Sequence, residues 1–287
     1  MEQIADFSQI ESLQENKVIV EDCTLDMVDS SIVFHGTGNV IIFSGKNPKK
    51  KVYLSRSKIE CLGDNNLVFI NTSDRGMSLI IRLGYGCNVF IGKGYSAVSP
   101  VCIFANEKTN VHIGFNCLFA RDVFIRTSDM HMIYDLKTKK RINPNKDVFI
   151  GDHVWVGQGV HILKGAVIGS GSIIGDGALC TNDKIDKVNC VYIGSPAKKH
   201  REDIVWTIRG CNKTTEEELE QGVYDTIGAE DGFKDFYVFK QTDVNKSRKK
   251  FSKIREKETM EERIAFIRKY KRKRSKFLET KNAIDME

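Results

Sequence analysis

Proline is scarce in this chain of 287 residues, with four in all, and no apolar run approaches the roughly 18 residues that a membrane-spanning helix needs. The scarcity of proline excludes a collagen-like or proline-rich disordered chain. The balance of 41% hydrophobic and 29% charged residues is typical of a globular protein. The first residues also lack the basic-then-apolar layout of a secretory signal peptide. We therefore expect a cytoplasmic protein.

Residue groups with metal-ligand spacing are missing as well. The eight cysteines are scattered without a C-x-x-C pair, and the histidines outside the central loop do not form the spaced trio of a zinc site. We expect the cysteines to be small buried residues in a reducing compartment, and no metal cofactor.

Positive charge is concentrated near the C-terminus. Between Arg248 and Lys276 there are 14 Lys and Arg against four Glu, whereas the whole chain carries a net charge of only +6. The remainder of the chain is therefore close to neutral. Any binding partner inferred from the positive net charge therefore concerns this segment alone.

A six-residue period runs from Asp147 to Asp183. Its units begin at Ile150, Val156, Ile162, Ile168 and Ile174, and glycine follows the first residue in four of the five. No helix has this period, and an alternating strand does not place glycine so regularly. The pattern predicts an all-β solenoid with triangular coils, in which the leading aliphatic residue points inward and stacks on its equivalent in the next coil.

The period extends upstream less regularly. Residues six apart form two further groups, which are Ile91, Ala97 and Ile103, and Ile113, Phe119 and Ile125. Further upstream, segments 32–42 and 59–69 resemble each other at an offset of 27. We expect irregular β-coils over residues 1–80 that cap the solenoid, hexapeptide coils over 81–206, and a mixed, helical, basic appendage over 207–287.

The period is interrupted once, over residues 126–147. Insertions at solenoid corners commonly carry function, and this one contains a histidine, three aspartates and a basic cluster. It is the first place to expect an active site.

The hexads, the loop S-D-M-H-M-I-Y-D, the segment I-G-D-H-V-W-V-G and the ending Y-I-G-S-P-A-K-K resemble the hexapeptide-repeat acyltransferases. The likeness is greatest to bacterial capsular polysaccharide and sialic acid O-acetyltransferases. This resemblance implies a left-handed parallel β-helix with a protruding catalytic loop, acetyl-CoA as acetyl donor, and a homotrimer with active sites between neighbouring subunits.

The resemblance assigns catalysis to His131, which matches the family's histidine. A sugar hydroxyl is a poor nucleophile, and a neutral imidazole can take its proton during attack on a thioester. Asp129 is the candidate for orienting the ring. The alternative is that His131 is an ordinary solvated loop histidine.

For the donor, the resemblance places Trp155 beside the acetyl-CoA arm, and Lys198 or Lys199 at the 3′-phosphate of CoA. Gly157 and Gly175 would let the donor approach the backbone. Packing within the coils is the alternative explanation for Trp155 and the glycines, and a solvated turn is the alternative for the two lysines. For the acceptor, the candidate contacts are Tyr134, Lys139, Lys140, Arg141 and Asn143. The cations among them suit a sialic or uronic acid carboxylate.

The appendage shows helical signals at Thr214–Leu219 and at Thr259–Leu278, where Met260, Ile264, Ile267 and Tyr270 share one side, and an aromatic segment at Gly232–Lys240. Three interpretations stay open: packing on the protein itself, attraction to an anionic membrane or polyanionic capsule chain, and nucleic-acid binding, which lacks a matching fold.

The prediction is therefore an acetyl-CoA-dependent O-acetyltransferase acting on a bacterial surface carbohydrate, such as capsule, lipopolysaccharide or sialic acid. An N-acetyltransferase on an amino-sugar nucleotide and a non-catalytic β-helix that binds glycan or membrane are the alternatives.

Overall fold

The chain passes through three β-sheets in rotation, so that most strands hydrogen-bond to a strand one coil later. The computed structural model describes residues 1–45, 47–48, 51–71, 76–181, 185–208, 210–213, 215–221 and 238–281. A coil here means one passage through the three sheets.

The strands are short and follow one another closely. The first twelve are β1 (Glu2–Ile4), β2 (Lys17–Glu21), β3 (Thr24–Val28), β4 (Ser31–Phe34), β5 (Val40–Ser44), β6 (Lys51–Ser55), β7 (Lys58–Cys61), β8 (Leu67–Asn71), β9 (Leu79–Leu83), β10 (Asn88–Ile91), β11 (Ser96–Ala97) and β12 (Val101–Ala105). The others are β13 (Asn110–Ile113), β14 (Leu118–Phe119), β15 (Phe124–Arg126), β16 (Val148–Ile150), β17 (Trp155–Val156), β18 (His161–Ile162), β19 (Val167–Ile168), β20 (Ile173–Ile174), β21 (Leu179–Cys180), β22 (Val191–Ile193) and β23 (Lys198–Arg201).

Three long sheets result. Sheet one has the order β1-β4-β7-β9-β12-β15-β18-β21, sheet two β19-β16-β13-β10-β8-β5-β2, and sheet three β11-β14-β17-β20-β22-β23. Pairing is parallel throughout these sheets except at two ends, where β1 joins β4 and β22 joins β23 in antiparallel register. A small fourth sheet pairs β3 with β6.

The stacking predicted from the six-residue period is confirmed. Ile150 lies opposite Ile113 on one side and Ile168 on the other, and Ile162 lies between Ile125 and Cys180. All of these side chains are buried in one apolar core. The leading residue of each unit therefore points inward because parallel pairing places equivalent positions of successive coils directly above one another.

The N-terminal coils belong to the same sheets. The offset of 27 seen in the sequence corresponds to the pairing of Ile32 with Ile59. At the adjacent corner, the buried amide of Asn66 donates to Asn39 Oδ1 at 2.8 Å. Such amide stacking satisfies polar groups that the corner would otherwise leave buried and unpaired.

The appendage contains α1 (Glu216–Gln221), α2 (Gln241–Ser252) and α3 (Met260–Lys281); short 3-10 helices lie at Phe7–Ser12, Cys211–Lys213 and Lys253–Glu256. Thr214 and residues 232–237 of the predicted aromatic segment lie outside the described residues.

The last two helices pack on the outer face of sheet two. The predicted apolar side of the final helix is confirmed at Ile267 and Tyr270, which are fully buried against Phe90 and Phe251. Polar contacts reinforce the docking, since Arg263 donates to Asn88 at 3.2 Å and Arg268 forms an ion pair with Glu21. The basic segment, as far as residue 271, is thus attached to its own chain. No helix in the described ranges is both long and apolar enough to cross a bilayer.

Candidate active site

The loop over residues 126–147 leaves sheet one after β15 and returns to sheet two at β16. Its outer half is a short hairpin, in which Asp135 accepts the amide of Thr138 at 2.6 Å and the Ile142 amide donates to Ile133 O at 2.9 Å. Hydrogen bonds within the loop therefore give this insertion a defined shape.

Asn143 fixes the part of the loop that carries the histidine. Its side-chain nitrogen donates to His131 O at 2.8 Å, and its side-chain oxygen accepts the Ile133 amide at 2.8 Å. The Asn143 side chain is buried. Because one amide bonds the backbone at and just after His131, it holds the histidine at the loop surface.

Asp129 contacts the next coil and another residue of the loop. Its carboxylate forms an ion pair with Lys164 and accepts a hydrogen bond from Asn143 at 2.9 Å. The hydrogen bond from Lys164, supplemented by that from Asn143, lowers the pKa of Asp129. Among the described residues no side chain hydrogen-bonds the His131 ring. The carboxylate is directed to Lys164, which belongs to the next coil, and a role of Asp129 in orienting the His131 ring stays a prediction.

His131 lines a small cavity of about 230 Å³. Tyr85, Asn106 and Glu107 of preceding coils line its other side, together with Arg141 from the loop. Arg141 donates to Glu107 at 2.8 Å. The cavity thus combines a histidine, a cation, a carboxylate and an amide, a mixture that suits a polar, hydroxyl-bearing ligand.

The three predicted acceptor contacts lie in different environments. Arg141 is in the His131 cavity but is paired with Glu107. Asn143 is buried, and its side-chain amide is hydrogen-bonded within the loop. Tyr134 is 57% exposed at the loop surface, beside the exposed Met132, whose sulfur accepts its hydroxyl at 3.1 Å.

Trp155 lies on sheet three, away from the His131 cavity. It is 41% exposed and stands in register between Leu118 and Ile173, and Ile173 in turn pairs with Val191. These side chains form a partly exposed apolar stripe across the sheet.

A cationic hairpin ends this stripe. Lys198 and Lys199 lie on β23, which pairs with β22 beside the exposed Ile193. Lys199 forms an ion pair with Glu202, whereas Lys198 is exposed and has no ion-pair partner within the described part of the chain. The structure therefore separates two lysines that the sequence left equivalent.

The two glycines have packing explanations. A Cβ at Gly157 would clash with Asp176 of the next coil, and one at Gly175 would approach the Ile193 side chain to 2.8 Å. Their amides donate to Ile174 O and Tyr192 O, each at 2.8 Å. Both amides are hydrogen-bonded to the next coil, and the close approach of neighbouring coils accounts for the two glycines; their contribution to donor binding stays a prediction.

The candidate residues thus form two groups on different faces. His131, Asp129, Tyr134, Arg141 and Asn143 belong to the loop between sheets one and two. Trp155 and the two lysines belong to sheet three. No group of three or more His, Cys, Asp or Glu side chains that could hold a metal occurs in the described segments.

Comparisons with known proteins point to one family. Residues 147–182 match the family model for the bacterial transferase hexapeptide (six repeats). The crystal structure of the polySia specific acetyltransferase NeuO superposes with a TM-score of 0.59 and 32% identity, covering 72% of this chain and 95% of that one. The chain belongs to the hexapeptide-repeat acetyltransferase family.

Two curated members of this family are similar in sequence. The polysialic acid O-acetyltransferase of Escherichia coli O1:K1 / APEC is 41% identical over 46% of this chain and 39% of that protein. The polysialic acid O-acetyltransferase of Neisseria meningitidis is 36% identical over 40% of this chain and 52% of that protein. The chain thus matches about two fifths of one curated relative's length and about half of the other's.

Two residues of the candidate site were not predicted from the sequence. Lys164 lies 35 residues after Asp129, and only the coil register, with Ile125 opposite Ile162, brings it beside the loop. Trp206 stacks on His153 with ring centroids 3.9 Å apart and lies 5.9 Å from Trp155. It follows the last coil, so the six-residue period gave no signal for it.

Proposed function

We propose that this chain is an acetyl-CoA-dependent O-acetyltransferase that modifies a hydroxyl of an acidic bacterial surface carbohydrate, with sialic acid polymers as the first candidate. The observation that carries the proposal is the loop itself: Asn143 presents His131 in a cavity beside Arg141. The family relationship supports it, because the compared relatives are named for acetyl transfer to polysialic acid.

His131 is the general base of this proposal. Its imidazole takes the proton of the acceptor hydroxyl while that oxygen attacks the thioester carbonyl carbon. A carbon–oxygen bond forms, the carbon–sulfur bond breaks, and the departing sulfur recovers the proton from the imidazolium. No covalent acyl-enzyme is required. Asp129 and Lys164 act as positioning residues, since they fix the loop and do not touch the ring.

Sheet three is the proposed binding face for the acetyl donor. The stripe around Trp155 offers an apolar wall with an indole N–H, which suits a pantetheine arm of mixed polarity. The exposed Lys198 offers an ammonium for the 3′-phosphate. Gly157 and Gly175 contribute by keeping the coils closely packed beneath this surface.

A homotrimer would unite the two groups of residues. His131 and Trp155 lie on different faces of one chain, so the loop of one subunit must meet sheet three of its neighbour to complete an active site. We propose this arrangement, with left-handed coils as in the family. The predicted regions 1–80, 81–206 and 207–287 serve as cap, catalytic coils and appendage, and acetyl-CoA use favours the cytoplasm.

The test is thiol release from acetyl-CoA across a panel of sialic acid oligomers, neutral hexose oligomers and UDP-amino sugars, with His131→Ala in parallel. Release that depends on a sialic acid acceptor and is lost in His131→Ala supports the proposal. Preference for the amino sugars would identify an N-acetyltransferase instead. Absence of turnover together with absence of acetyl-CoA binding by calorimetry would refute an acetyltransferase.

A further inference from the structure

A second, larger cavity lies where the loop returns to β16. It has a volume of about 760 Å³ and is enclosed by sheet two on one side and α2 with the following 3-10 helix on the other. This volume is within the range of about 300–1,000 Å³ that is usual for ligand pockets. The cavity therefore depends on the appendage, without which sheet two would be open.

Cations outnumber acids in its lining. Lys146, Arg248, Lys249 and Arg255 face two carboxylates, Asp147 and Asp186. Arg255 forms an ion pair with Asp147, which joins the two walls. Lys249 and Arg248 are exposed at consecutive positions of α2. The excess positive charge favours an anionic ligand.

The remaining lining is not that of a phosphate site. Three amides, those of Asn110, Asn145 and Asn245, stand among the charges, and the edges of Phe149 and Phe251 contribute apolar surface. Asparagine amides and carboxylates bind sugar hydroxyls, while lysine and arginine bind sugar carboxylates. A compact phosphate would use the cations alone, whereas a sugar chain can also use the amides and carboxylates. The mixture suits a chain of acidic sugars.

Asn145 connects this cavity to the active site. It lines both cavities, and its Oδ1 accepts a hydrogen bond of 3.4 Å from Arg141 in the His131 cavity. A ligand long enough to pass Asn145 would contact both cavities at once.

The cations of α2 are held in place by the packing of their helix. Val244, Phe251 and Ile254 are buried against sheet two, and the start of the helix is fastened because Gln241 donates to Asp186 O at 2.9 Å. Arg248 and Lys249 are therefore presented to the cavity by a docked helix, which distinguishes them from the charges of a free tail.

We propose that this cavity is a second subsite for the acceptor, which binds carboxylate-bearing sugar residues of a chain whose reacting residue lies at His131. The inference rests on the proposed function and adds a preference for long acidic acceptors. Binding at two linked subsites raises the affinity for a chain that spans both, without any new contact at the reacting sugar.

The experiment compares wild type, a cavity variant and a control variant, all full length, in thiol release with sialic acid oligomers of increasing length. The cavity variant is Arg248→Glu/Lys249→Glu. The matched control is Lys246→Glu/Lys253→Glu, which reverses two exposed charges of the same helical segment outside the cavity lining. A milder variant, Lys249→Ala, and circular dichroism guard against misfolding.

For the wild type and the control, KM should fall as the oligomer lengthens. The cavity variant should lose this dependence, with KM for the longest oligomers raised about tenfold and KM for acetyl-CoA and for the shortest acceptor unchanged. Equal length dependence in all three proteins would overturn the inference. A raised KM for acetyl-CoA would overturn it too, since the cavity would then serve the donor.

Two further measurements separate the remaining outcomes. If no protein turns over any acceptor, the proposed function fails. The subsite can still be tested by calorimetry with a long sialic acid oligomer: binding by wild type but not by the cavity variant would support it. Equal binding by both would refute it. Loss of sedimentation with phosphatidylserine vesicles in the cavity variant, with glycan kinetics unchanged, would reassign these cations to a membrane surface.

Discussion

The side-chain amide of Asn143 donates a hydrogen bond of 2.8 Å to the carbonyl oxygen of His131. The same amide accepts the backbone N–H of Ile133 and donates to Asp129. One buried side chain therefore links both ends of the segment that carries the proposed base. The position of His131 therefore depends on the hydrogen bonds of Asn143 within the loop. These hydrogen bonds can be tested separately from the histidine itself.

Asn143→Ala should lower kcat strongly while leaving acetyl-CoA binding intact. Each buried partner left without its hydrogen bond costs about 1–3 kcal/mol, so kcat should fall about 10- to 100-fold. Steady-state kinetics and calorimetry measure the two quantities. Lys137→Ala, at the exposed loop tip, is the control and should behave like wild type. Unchanged kcat in Asn143→Ala would contradict the positioning role.

Asp129→Asn should lower kcat without moving the acid limb of the pH–rate profile. The hydrogen bond from Lys164 lowers the pKa of Asp129 below its ordinary value of 3.8. A carboxyl whose pKa is lowered by folding stabilises the folded protein fully at pH values above its ordinary pKa. That stabilisation is lost only as the pH falls through the pKa of the folded state. Asp129 therefore stays ionised across the assay range.

The measurement is kcat against pH for wild type, Asp129→Asn and Lys164→Met. Both variants should show the same reduced plateau and the wild-type acid midpoint. A shifted midpoint in Asp129→Asn alone would mean that the carboxylate orients the His131 ring after all.

Lys198→Ala should raise KM for acetyl-CoA more than Lys199→Ala does. Lys199 is already paired with Glu202, while the exposed Lys198 is available for a phosphate. Loss of one charge-assisted hydrogen bond predicts an increase of about tenfold. With 3′-dephospho-acetyl-CoA, wild type and Lys198→Ala should give the same KM. An equal effect of both lysine variants would remove the distinction between them.

Tyr270→Phe should destabilise the docked appendage. The Tyr270 hydroxyl lies 2.9 Å from His112 Nε2 and 2.8 Å from Ser247 Oγ. Because the Ile150 carbonyl can only accept, His112 Nδ1 donates to it, which leaves Nε2 to accept from the tyrosine hydroxyl. Removing this buried hydroxyl should cost about 1–3 kcal/mol in the free energy of unfolding.

Urea unfolding of Tyr270→Phe measures this cost. Ser252→Ala, which removes an exposed hydroxyl from α2, is the control and should lie within about 0.5 kcal/mol of wild type. Equal stability of all three proteins would show that the appendage does not depend on this contact.

The sequence contained the repeat over residues 147–183 and the stacking of its coils. Ile150, Ile162 and Ile168 share one period, and parallel coils convert a period directly into contacts. The loop was visible for the same reason, since it interrupts that period. Contacts between positions without a shared period were not visible. Lys164 meets Asp129 only through the coil register, and Asn143 bonds His131 because the loop folds back as a hairpin.

The appendage shows the same limit. The apolar side of α3 was predictable from helical spacing, and burial of Ile267 and Tyr270 confirms it. The surface that it covers was not, because His112 and Tyr270 are 158 positions apart and no pattern relates a helix to a distant sheet. The cavity above sheet two follows from that docking and was equally hidden.

The most direct test of the central claim is the chemical nature of the product. A sialic acid oligomer is incubated with acetyl-CoA and wild type or His131→Ala, and the mass of the oligomer is recorded before and after mild alkali. The account predicts added acetyl groups with wild type only, and their complete removal by alkali, because esters are labile. Alkali-stable acetyl groups, or equal acetylation by His131→Ala, would contradict it.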